Sequence, residues 1–112
     1  MKFTTRKIGD VIVIDVDGKI QLGDGDVEIK NAVDDLLKRG HKKILLNLAR
    51  VPYLDSAGLG EIIRCFTALR KAGGHFKLLS PNSRILDLLN ITKLLNVFDC
   101  FDNESSAIMS FS

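Results

Sequence analysis

Apolar residues recur along this chain with two alternating periods. Val11-Ile12-Val13-Ile14-Asp15-Val16 is β-branched and follows a Gly9-Asp10 turn, which predicts a strand paired with residues 3–8 as a hairpin arm. Lys19-Ile20-Gln21-Leu22 predicts a short third strand running into a loop, "GDGD". Asp24 or Asp26 is then placed to cap a helix over 27–39. There Ile29, Ala32, Val33, Leu36 and Leu37 form a single stripe at helical spacing. Lys38-Arg39 suit the negative end of its dipole, and Gly40 stops it. "KKILLNL" (42–48) is nearly all apolar, as in a strand covered on both faces.

A second helix is expected from about Ala57, with Leu59, Ile62, Ile63, Phe66 and Leu69 inward and Gly73-Gly74 at its end. His75–Leu79 predicts a strand. Ser83 is expected to cap a third helix that turns Ile85, Leu88 and Leu89 inward. Val97–Phe101 predicts a last strand, and Asp102 or Asn103 opens a terminal helix carrying Ala107, Ile108 and Phe111. The alternation implies an α/β domain over 1–112: a mixed, mostly parallel sheet of about five strands covered by four to five helices, with parallel crossovers.

Composition narrows the partners. The 112 residues are 46% hydrophobic and 27% charged, a globular balance. Residues 1–50 hold ten Lys/Arg against eight Asp/Glu, and residues 51–112 hold six of each. Neither half has the basic excess that binding a phosphate backbone needs, so no nucleic-acid partner is expected. The opening MKFTTRKIGD has no apolar core of a secretory signal, and the apolar runs fall far short of the roughly 20 residues that span a bilayer. Cys65 and Cys100 stand 35 apart with no CxxC spacing and are expected as two buried thiols. A cytoplasmic protein without membrane insertion is expected. Asp24, Asp26 and Glu28 lack the spacing of a calcium loop, and nothing calls for a metal or cofactor.

The densest chemistry lies in "VPYLDSAGLGEII" (51–63). A nucleophilic Ser56 would need a histidine within hydrogen-bond reach. His41 and His75 each precede or open a strand, while Ser56 follows a strand's C-terminal end, so a parallel sheet would hold them apart. Position 54 is Leu, not the first Gly of G-x-S-x-G. Glu61 follows Gly60 where a phosphate-binding loop would carry Lys. Asp55 or Ser56 suits an N-cap. A cap alone does not account for Gly58 and Gly60 in a first helical turn, where each costs up to about 1 kcal/mol against Ala. Small residues there leave the hydroxyl uncovered and let another surface approach. Tyr53 is either a half-exposed aromatic of that surface or a packing residue; Arg64, Arg70 and Lys71 are expected on a solvated face.

"ILLNLARVPYLDSAGLGEII", together with Gly18, the 27–39 helix and the Leu88-Leu89 region, resembles the STAS domain, above all bacterial anti-sigma-factor antagonists. The resemblance implies that Ser56 is phosphorylated by an anti-sigma factor that is itself a Ser/Thr kinase of the GHKL type. The unmodified protein would bind that kinase and free a sigma factor; a PP2C-type phosphatase would reset it. Asp55 matches the acid before the acceptor and Gly58 the glycine after it. Ala57 stands where many relatives carry a second Ser. The implied interface comprises Tyr53, Asp55, Ser56, Ala57, Gly58, Leu59 and Gly60, with Asp24 and Asp26 from the neighbouring loop. Another role open to a STAS domain is docking, without phosphorylation, in a transporter or other assembly. Monomer and weak dimer both remain open.

Overall fold

The computed structural model describes residues 1–112. The elements are β1 (Lys2–Ile8), β2 (Val11–Asp17), α1 (Asp26–Lys38), β3 (Lys43–Arg50), α2 (Ser56–Lys71), β4 (His75–Leu79), α3 (Ser83–Ile91), β5 (Cys100–Phe101) and α4 (Glu104–Met109). They form one five-stranded sheet in the order β1-β2-β3-β4-β5. β1 is antiparallel to β2, and all other pairs are parallel. The mixed, mostly parallel sheet with four helices is the architecture the sequence predicts.

Strand order follows sequence order, so each crossover steps the same way. Right-handed connections then place α1, α2 and α3 on one face. That face holds the large core: Ile12, Ile14 and Val16 of β2, Ile44, Leu46 and Leu48 of β3, and Phe76 and Leu78 of β4, against Ile29, Val33, Ile62, Leu69, Ile85 and Leu89 of the helices. A sheet wound in one direction has no reversal point, and hence no crevice of the kind that seats nucleotides in doubly wound folds.

The opposite face is only half covered. α4 and the residues after it bring Ala107 and Phe111 over Val11, Val13, Leu45 and Leu79. Lys77, buried on that face, donates from Nζ to the Ser110 carbonyl (2.9 Å) and lies 4.8 Å from the Phe111 ring centroid. Farther along the strands the face is polar, which corrects the expectation that 42–48 is buried on both sides. There Asn47 Nδ2 donates to Asp15 (2.8 Å), and the Arg6 guanidinium bridges Asp15 (2.6 Å) and Glu104.

Arg6 first, and Asn47 with it, hold the Asp15 carboxyl below its ordinary range against the opposing effect of burial. A carboxyl lowered in the folded state contributes stability above its unfolded pKa of about 3.9 and loses it as pH falls through the folded value. The gap in urea midpoint between wild type and Asp15→Asn is therefore expected to shrink between pH 6 and pH 3. An equal gap at both would show that Asp15 does not act through its charge.

Several local expectations are corrected. Residues 19–22 make no strand: Ile20 forms an isolated parallel bridge to Leu54, and Gln21 pairs with Asp24. Gly18 and Gly25, at φ 117° and 104°, turn the chain too sharply for a ladder to continue. Gly25, not Asp24 or Asp26, is the N-cap of α1. Asn82, not Ser83, caps α3, accepting from Ile85 N–H (2.9 Å). The last strand shrinks from 97–101 to Cys100–Phe101, because Leu94–Val97 turn back on the end of α3 (Leu94 N–H to Leu89 O, 2.7 Å). Arg64 is only partly solvated and joins α2 to α1, donating to Glu61 (2.7 Å) and Asp34 (3.0 Å). Cys65 is fully buried and its thiol is pushed up by burial, whereas Cys100 is only half-buried.

Candidate functional site

The chain leaves β3 at Arg50, and Val51-Pro52-Tyr53-Leu54 carries it over the C-terminal edge of the sheet into α2. Asn82 anchors this turn, donating from Nδ2 to the carbonyls of Val51 (3.2 Å) and Pro52 (3.3 Å). Leu54 is buried beside Ile20, while Tyr53 stays 38% exposed with the Arg84 guanidinium 5.7 Å from its ring centroid. Tyr53, Leu54, Arg84, Ile85 and Leu88 line a small cavity of about 150 Å³ below the turn.

Asp55 is the N-cap of α2, settling the choice between it and Ser56. Its backbone is extended (φ −92°), and its Oδ1 accepts from Gly58 N–H (2.8 Å). The second oxygen, Oδ2, accepts from Leu22 N–H (3.0 Å), in the loop between β2 and α1. Those two backbone donors, Leu22 first, lower the Asp55 carboxyl below its ordinary range. Ser56 is the first residue of α2 and its side chain is exposed. The free N–H groups and dipole of that turn favour an anion. Basic Arg70 and Lys71 occupy the last turn, at the opposite end of the dipole.

The two glycines do different work. A Cβ on Gly58 would lie 2.2 Å from the Ile20 carbonyl oxygen, so Gly58 lets α2 press against the loop backbone. A Cβ on Gly60 would meet nothing within 4 Å. Gly60 faces outward; Ala57 is partly covered, and Leu59 is core. Of the expected interface residues, Tyr53, Asp55, Ser56, Ala57 and Gly60 therefore share the accessible side of the turn, while Gly58 and Leu59 support it from beneath.

Asp24 and Asp26 lie in the adjoining loop with roles of their own. Asp24 pairs with the Met1 amino group (3.0 Å). Asp26 Oδ1 accepts from Gly23 N–H (3.0 Å) and Val27 N–H (2.8 Å). Beside them stand two exposed apolar residues that the pattern did not mark, Leu22 (76%) and Val27 (49%). Their signal was present: apolar side chains within a Gly/Asp-rich loop and at the first turn of α1, off its inward stripe. His75 opens β4 and His41 precedes β3, so both sit at the far edge of the sheet from Ser56. The site thus presents a hydroxyl, an oriented carboxylate and apolar side chains, with both histidines at the other edge of the sheet.

Other proteins share this arrangement of chain. A candidate anti-sigma factor antagonist from Thermotoga neapolitana is 31% identical over 106 residues, covering 95% of this chain and 94% of its own. The anti-sigma F factor antagonist of Paenibacillus polymyxa is 24% identical over 99 residues, 88% of this chain and 84% of its own. The crystal structure of a candidate anti-sigma factor antagonist from Thermotoga maritima superposes with a TM-score of 0.91 at 28% identity, over 97% of this chain and 93% of the other. Residues 2–107 match the STAS domain, and with the singly wound sheet and the Asp55-Ser56 turn this establishes that the chain belongs to the STAS domain family.

Proposed function

We propose that this protein is an anti-sigma-factor antagonist whose binding is switched by phosphorylation of Ser56. The observation that carries the reading is the exposed Ser56 hydroxyl at the first residue of α2, with Asp55 capping the helix and Leu22 and Tyr53 exposed beside it. Unmodified, this surface binds an anti-sigma factor that is also a Ser/Thr kinase of the GHKL type, and the sigma factor is released. The names of the relatives from Thermotoga and Paenibacillus support the antagonist role.

The physics of the switch is local. The catalytic base must come from the kinase, since neither histidine is near Ser56. A phosphate brings about −1.5 to −2 charges, which the start of α2 tolerates within the domain. Its effect falls on the partner, through bulk, repulsion and the cost of stripping water from a dianion. A PP2C-type phosphatase restores the binding form.

The test is incubation with the cognate kinase and ATP, read by intact-mass spectrometry. One phosphate is expected on the wild type and none on Ser56→Ala. No phosphate on the wild type, or an unchanged gain on Ser56→Ala, would sink the reading.

A further inference from the structure

The loop between β2 and α1 meets α2 in two places of different kinds. At its base, Ile20 N–H donates to Tyr53 O (3.1 Å) and Asp55 N–H donates to Ile20 O (3.3 Å), the two bonds that make the Ile20–Leu54 bridge. At its tip, residues 21–24 close on themselves: Gln21 N–H donates to Asp24 O (2.9 Å) and Asp24 N–H to Gln21 O (3.0 Å). The hydrogen bond that joins this tip to the start of α2 is the one from Leu22 N–H to Asp55 Oδ2. The same carboxylate spends Oδ1 on Gly58 N–H. One side chain therefore caps the helix and fixes the tip, and the tip carries Leu22, 76% exposed.

We infer that Asp55 is a positioning residue that latches the loop tip to the turn bearing Ser56, so that Leu22 and the hydroxyl are offered to the partner at a fixed spacing. This inference rests on Ser56 being the phosphoacceptor for its functional consequence, though the latch itself is a property of the isolated protein. A cap needs one acceptor oxygen; the latch needs the second. A loop tip whose backbone is already fixed loses less conformational freedom when a partner covers the apolar side chain it carries.

Capping and latching can be separated chemically. Asp55→Asn keeps one acceptor for Gly58 N–H but turns an amide NH2 toward Leu22 N–H, donor against donor. Asp55→Ser keeps the cap with a side chain too short to reach the tip. The first measurement is backbone amide exchange by NMR on wild type and both variants. Leu22 is expected to exchange at least tenfold faster in each variant, with Gly58 and the core amides of Leu45 and Leu46 unchanged. The second is phosphorylation by the cognate kinase, where Asp55→Asn is expected to raise KM about tenfold and leave kcat within twofold. The Leu22→Ala background should absorb most of that KM effect, since the latch acts through Leu22.

Unchanged Leu22 exchange in Asp55→Asn overturns the latch. Faster Leu22 exchange with unchanged KM overturns its part in presentation. Absence of phosphate on wild-type protein marks the failure of the phosphoacceptor reading instead; the Leu22 amide then decides the latch alone.

Discussion

Replacing Gly58 with Ala is expected to lower stability by about 2 kcal/mol and the midpoint of thermal unfolding by on the order of 10 °C. On an isolated helix the change would favour folding by up to about 1 kcal/mol, because Ala has the higher helix propensity. Here the new methyl would stand 2.2 Å from the Ile20 carbonyl oxygen and 2.9 Å from its carbon. Backbone cannot rotate away as a flexible side chain does, so either α2 or the loop must shift, and crowding of this kind costs about 1–3 kcal/mol or more. Gly60→Ala is the internal control. Nothing lies within 4 Å of its added methyl, so propensity acts alone and a gain of up to about 1 kcal/mol is expected. Differential scanning calorimetry on the two variants should therefore give shifts of opposite sign. Two shifts of the same sign would refute the division of labour between the glycines.

Ser56→Asp is expected to leave the fold intact while weakening kinase binding about 100-fold. Within the domain the new carboxylate gains about 0.3–1 kcal/mol from the helix dipole and loses a comparable amount to its neighbour Asp55. The thermal midpoint should move by only a few degrees. At the interface there is no such cancellation. An unpaired charge buried against a partner costs about 2–5 kcal/mol, and every 1.4 kcal/mol is a factor of ten in affinity. Circular-dichroism melting and calorimetric titration separate the two effects. A variant that melts far below the wild type, or that binds the kinase with unchanged affinity, would contradict the account of the switch.

The core elements could be read from the sequence because burial imposes a period. The alternating Ile12, Ile14 and Val16, and the stripes of α1 and α2, each have one face that must leave water. What escaped the reading was decided by contacts between distant segments. Residues 19–22 have strand composition, but Gly18 and Gly25 turn the chain and leave only the bridge to Leu54. Asn82 and Ser83 are both good caps; the reach of Asn82 to the 51–52 carbonyls accompanies its role. The site was legible as far as the Asp55-Ser56 turn. Leu22 stands out in the sequence only as an apolar residue in a Gly/Asp-rich loop; its place beside the Asp55-Ser56 turn depends on a hydrogen bond across 33 positions. Gly58 and Gly60 look alike in sequence, and only the position of the Ile20 carbonyl distinguishes them.

The sequential strand order also bears on how the chain assembles. Each strand pairs with the one before it, so every pairing closes a loop of modest length and no strand waits for a distant one to insert between earlier neighbours. The β1–β2 hairpin can form first, with β3 and β4 adding through α1 and α2 as they are synthesised. β5, two residues long at the growing edge, has little to hold it beyond β4 and α4. It is the last strand to dock and the first to fray, so Phe101 should lose amide protection well before Leu45.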